Sequence, residues 1–125
     1  MKAYDLIHQL YIFDYGSLLA ILHFREHGVK IRMIFNEDEM IEGMAIIAGL
    51  IRKFHSRKLF IADKFVGYMG REYILVASIK NKSFAPFLLG LLRRITVKLD
   101  NIGILPVDTV VQITLRELRT NLDLS

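Results

Sequence analysis

The 125-residue chain has no cysteine. That excludes a disulfide framework, a thiolate metal site and a cysteine nucleophile, and it fits a reducing, cytoplasmic setting. Proline occurs twice and glycine eight times, too rarely for a fibrous or low-complexity chain. Long hydrophobic runs are missing too. The longest, Phe84 to Leu92 and Met44 to Ile51, fall far short of the roughly 18 residues of a transmembrane segment. The N-terminus has no apolar signal-peptide core, so export by that route is not expected. Strong charge of one sign is also lacking. The net charge is +4, from 17 basic and 13 acidic residues spread over both halves, where a nucleic-acid binder concentrates its excess on one face. What is present is apolar. Hydrophobic residues make up 53% and charged residues 24%, which excludes a disordered tail and suits a single domain spanning 1–125 with one core.

Residues Leu6 to Phe13 read as a strand entering a turn at Asp14-Tyr15-Gly16-Ser17. Leu18 to Phe24 follows as a strand buried on both faces, or as a helix, since periodicity does not separate the two in a short apolar run. Val29 to Phe35 alternates and reads as extended. Asn36-Glu37-Asp38-Glu39 predicts a reciprocal capping box at a helix start, with three acids at the positive end of the dipole. That helix runs to Phe54. Met40, Met44, Ile47 and Ile51 form its stripe, and Ile41, Ala45, Ala48 and Leu50 widen the apolar surface beyond one face.

Further on, Leu59–Ala62, Phe65–Met69 and Glu72–Lys80 read as three strands separated by tight turns, the last buried on both faces. Ser83 is the expected cap of a second long helix carrying Pro86 in its first turn. Leu88, Leu91 or Leu92, Ile95 and Leu99 are its core stripe, with Arg93, Arg94 and Lys98 toward water. A last element from Asp108 places Val111, Leu115, Leu118 and Leu122 at helical spacing, although Thr109 to Leu115 is β-branched enough for a strand.

Strand, strand, helix, three strands, helix, helix is an order that resembles the longin domain of the roadblock/longin superfamily. The segments that carry it are Leu10-Tyr11-Ile12-Phe13-Asp14-Tyr15-Gly16, the helix Asn36 to Phe54, Phe60-Ile61-Ala62-Asp63-Lys64-Phe65, and the passage Tyr73 to Ser83. The resemblance implies an α+β fold (longin/profilin-like): a five-stranded antiparallel sheet with one helix on one face and two on the other. Val29 to Phe35 departs from that pattern as an extra extended segment. The resemblance also implies a non-enzymatic module without cofactors that forms homodimers or heterodimers with a related chain and serves small GTPases or trafficking machinery.

The first long helix leads independently to a partner. With its stripe on a sheet, Ile46 and Leu50 remain uncovered, and large exposed apolar patches are rare on monomers. Gly43 and Gly49 would admit a neighbouring backbone. The expected interface is therefore Met40, Gly43, Met44, Ile46, Ile47, Leu50 and Ile51. Arg52, Lys53, Arg57 and Lys58 form the one dense basic cluster, a solvated helix end or a site for an acidic partner, anionic lipid or nucleic acid. A small basic domain that binds nucleic acid or associates peripherally with a membrane is the second reading. His23-Phe24-Arg25-Glu26-His27 matches the inverted zinc-protease pattern, which needs both histidines one helical turn apart and a third ligand. On a strand end they are surface histidines, so no metal and no catalytic residue is assigned. Glu37, Asp38, Glu39 and Glu42 are explained by the helix start.

Overall fold

Two antiparallel strand trios meet in the middle of one sheet. The computed structural model describes residues 1–54, 58–62 and 64–125, and in its first long helix all side chains except those of 44, 47, 50, 51 and 53. A single helical turn, α1 (Ala3–Leu6), leads into β1 (Ile7–Asp14), β2 (Leu18–Arg25) and β3 (Gly28–Met33). Helix α2 (Glu37–Phe54) carries the chain to β4 (Leu59–Ile61), β5 (Phe65–Met69) and β6 (Tyr73–Ile79). A 3-10 turn at Lys82–Phe84 precedes α3 (Ala85–Ile102) and α4 (Val107–Arg119). The sheet order is β3-β2-β1-β6-β5-β4 with every described pairing antiparallel. The fold is α+β, but the sheet has six strands and not the expected five. Residues 28–33 pair with β2 in unbroken register from Met33–Ala20 to Gly28–Arg25, and so become an edge strand.

Alternation along the strands separates two cores. Leu10, Ile12, Ala20, Leu22, Phe24, Leu75 and Ala77 point to one side, where Leu88, Leu92, Ile95, Val111, Leu115 and Leu118 of α3 and α4 cover them. Phe13, Leu18, Ile21, Ile74 and Val76 point to the other side, with Phe54 of α2 and Phe60 of β4. The ambiguous segments resolve as strand for 18–25 and helix for 107–119. The apolar positions of the latter face the core every three or four residues, which a strand cannot do.

Local chemistry sets the boundaries. Asp14 Oδ1 accepts from the Gly16 and Ser17 N–H groups at 2.7 Å each, closing the β1–β2 turn. Asn36 Oδ1 accepts from Glu39 N at 2.8 Å, which is half of the expected capping box. The Glu39 side chain turns instead to Arg32 of β3, at 2.6 Å. Ser83 does not cap α3, whose N-cap is Phe84 with no side-chain cap; Asn81 caps the preceding 3-10 turn, its Oδ1 accepting from Ser83 N at 3.0 Å and Ser83 Oγ at 2.6 Å. Asp100, on the last turns of α3, accepts from Arg71 N and Glu72 N, tying the β5–β6 turn to that helix. Tyr73 donates to Gly103 O at 3.1 Å and accepts from Leu105 N at 3.2 Å, anchoring the α3–α4 link.

Two glycines permit close layers. A Cβ on Gly43 would lie 2.6 Å from Leu18 Cβ and 3.0 Å from Leu18 N, so α2 rests on β2 backbone at that point. A Cβ on Gly67 would overlap the Phe60 ring, which lies across β5. Helix propensity alone favours alanine over glycine by about 1 kcal/mol, but the overlap at Gly43 is with backbone and Cβ, and overpacking costs about 1–3 kcal/mol. Gly43→Ala is therefore expected to lower stability in urea unfolding, whereas Gly49→Ala, with open space around it, is expected to leave it equal or higher.

Candidate functional site

Helix α2 shows one face to the sheet and another to water. Gly43 and Phe54 are buried; eleven residues apart, about three turns, they share a face. On the opposite face Ile41, Ala45, Ala48 and Arg52 recur at helical spacing and are exposed, with Gly49 beside them, while Ile46, also exposed, lies on the flank between that face and Gly43. Ile41 is 58% exposed and Ile46 44%, so one layer of sheet does not satisfy this helix. The outward surface is shallow because three of its residues are alanine or glycine.

Two expectations for this helix change. Gly43 faces Leu18 of the same chain, so its lack of bulk accommodates β2 and not a partner backbone. Met40, expected to start the buried stripe, is exposed, because the stripe over the sheet is rotated toward Gly43 and Phe54. The side chains of Met44, Ile47, Leu50, Ile51 and Lys53, and the whole of Arg57, lie outside the described residues. Of the basic cluster, Arg52 is exposed on the outward face of α2 and Lys58 is exposed just before β4.

Strand β4 adds apolar surface that the sequence reading did not single out. Phe60 turns under α2 and meets Phe54 edge to face, ring centres 4.7 Å apart. Leu59 and Ile61 point to the other side, where α3 packs on β5 and β6, and both are exposed at the sheet edge. The signal was available: a strand of apolar residues at an edge must show one side to water. Phe35 and Ile104, in the links before α2 and before α4, are the most exposed of the large apolar groups among the described residues, beyond the reach of a periodicity argument.

The histidine motif is divided between two places. His23 lies within β2, while Glu26 and His27 form the turn that follows. His23 Nδ1 is 3.0 Å from Gln9 Nε2 on β1. Among the described residues no group of three His, Asp or Glu side chains is placed to hold a metal ion. Partial burial holds the His23 ring below the usual imidazole pKa, and the cations Arg32, Lys30 and Arg25 push in the same direction. The carboxylates at the start of α2 are exposed, apart from half-buried Glu39, which pairs with Arg32. On α3, Arg93, Arg94 and Lys98 are exposed, and Lys98 pairs with Glu117 of α4 at 2.5 Å. No described helix is long and apolar enough to cross a membrane.

Comparison with known proteins finds no match: no family model, no curated protein and no solved structure is similar to the chain.

The electrostatics at His23 yield a direct test. NMR titration of the ring should give a midpoint below the ordinary value of about 6.5, and Lys30→Gln should raise it by removing one repelling cation. The unfolded chain takes up this proton at higher pH than the folded one, so the stability contribution of His23 is complete above about pH 6.5 and falls as pH drops toward the folded midpoint.

Proposed function

We propose that the chain is a non-enzymatic interaction module, longin-like in arrangement. It pairs with a copy of itself or with a related chain through the outward face of α2, and the pair is a platform for a further protein such as a small GTPase or a trafficking-type complex. The observation that carries this reading is the exposure of Ile41 and Ile46 on a helix whose other face already lies on the sheet. Exposed apolar area of this kind, laid out along one rigid element, is a marker of protein contact. Its alanines and glycine let a second helix approach closely, and dispersion gains grow steeply as layers close. The division of helices, α2 on one side of the sheet and α3 with α4 on the other, supports the longin-like arrangement. Strand β3 is then an addition at the β2 edge.

The reading predicts a dimer in sedimentation at high micromolar concentration. Ile46→Glu or Ile41→Glu, each at an exposed position, should weaken association at least tenfold, about 1.4 kcal/mol, with little change in the thermal midpoint. A wild-type chain that sediments as a monomer at that concentration, and binds no related chain, overturns the proposal.

A further inference from the structure

The side of the sheet that carries α2 is only partly roofed. Cross-strand registers define one row across five strands on that side: Lys30 opposite His23, His23 opposite Gln9, Gln9 opposite Ser78, and Ser78 opposite Phe65. The adjacent row is Arg32, Ile21, Tyr11, Val76 and Gly67. There the apolar packing begins, with Ile21 and Val76 in the buried cluster and Tyr11 against it. None of the five side chains in the outer row belongs to that cluster. At about 4.8 Å between strands the row spans about 19 Å.

Hydrogen bonds orient the middle of this row. The Tyr11 hydroxyl donates to Gln9 Oε1, which turns Gln9 Nε2 toward His23 Nδ1 at 3.0 Å. An amide nitrogen only donates. Nδ1 therefore accepts, and the neutral ring carries its proton on Nε2, on the side away from Gln9. Around it stand Arg25, two residues further along β2 on the same face, and Lys30 directly opposite. Arg32 in the next row is neutralised by Glu39, whereas Arg25 and Lys30 have no ion pair among the described residues. A guanidinium, an ammonium and an imidazole N–H thus stand together, with no carboxylate ion-paired to them among the described residues. Every one of these groups is a donor.

We propose that Arg25, Lys30 and the Nε2–H of His23 bind the phosphate group of a small soluble ligand. A phosphate offers several acceptor oxygens and up to two negative charges, which match one fork-shaped donor, one point charge and one neutral donor. The Tyr11–Gln9 pair is the positioning element, since it holds the His23 tautomer that presents a donor. Phe65, at the far end of the row and 39% exposed, is about 14 Å from His23 by strand spacing and gives the organic part of the ligand an apolar surface. Helix α2 rests on β2 at Leu18, the end of that strand away from Arg25, so this row stays open to a small molecule. The residues are separate from the outward face of α2, so this proposal does not depend on the one above.

The test is titration of the full chain with inorganic phosphate at constant ionic strength, followed by NMR at His23, Gln9 and Lys30. Saturable shifts at these residues are expected in the millimolar range or below. The variant Arg25→Gln/Lys30→Gln, altered only at exposed positions, should weaken them at least tenfold while keeping a folded spectrum. Gln9→Leu should weaken them less, and should change the His23 ring-nitrogen shifts that report the tautomer. Shifts that grow linearly, match those from chloride or survive the double variant would overturn the proposal. So would co-sedimentation with phosphatidylserine vesicles that the double variant abolishes, in the absence of any saturable response to free phosphate.

Discussion

The pairing of β1 with β6 is the constraint on which the other layers depend. It joins residues 7–14 to 73–79, in register from Gln9–Ser78 to Asp14–Tyr73, and places both strands at the centre of the sheet. Leu10, Ile12, Leu75 and Ala77 are fully buried on one side and Ile74 on the other. Closing so long a loop costs entropy that grows only slowly with its length, and the burial of two strands on both faces offsets it. Once the pair forms, β2 and β3 extend the sheet on one side and β5 and β4 on the other. The two helical layers then have a floor. Without it, α2 has nothing on which to rest at Gly43.

The layers on the two sides are held differently. Helices α3 and α4 pack with a continuous apolar stripe each, and their buried hydroxyls, Thr96 and Thr114, bond to carbonyls four residues back at 2.7 and 2.8 Å. Asp100 and Tyr73 then fasten the ends of that layer to the strands. On the other side a single helix crosses the sheet and leaves part of it bare. It also keeps an apolar outward face of its own. That asymmetry leaves two surfaces uncovered among the described residues: the outward face of α2 and, beside it, a polar row of the sheet.

Much of the fold was legible in the residues. The start of α2 at Asn36, the core stripes of α3 and α4, and the doubly buried strand from Tyr73 to Ile79 all follow from spacing and capping, which are local. The extended character of residues 29–33 was legible too, but not that it becomes a sixth strand. That depends on an unoccupied edge at β2. Of the candidate site, the exposure of Ile46 was legible from helix periodicity. The inward turn of Gly43 and the exposure of Met40 were not, because a helix that is apolar around its girth does not declare which side meets the sheet. The row from Lys30 to Phe65 was hidden for a different reason. Its members come from five strands, and cross-strand neighbours are a matter of register.

By itself, then, the chain determined the bounds of most of its elements and which residues want burial, though not whether 18–25 and 107–119 are helix or strand, since periodicity, caps and turn residues act over a few positions. It also determined a largely apolar first helix that one surface could not satisfy. Only the tertiary structure decided which face of that helix is covered, how many strands line up, and that His23, Arg25 and Lys30 stand together with no ion pair among the described residues. Those outcomes depend on contacts between residues far apart in sequence, and such contacts exist only once the central strands have paired.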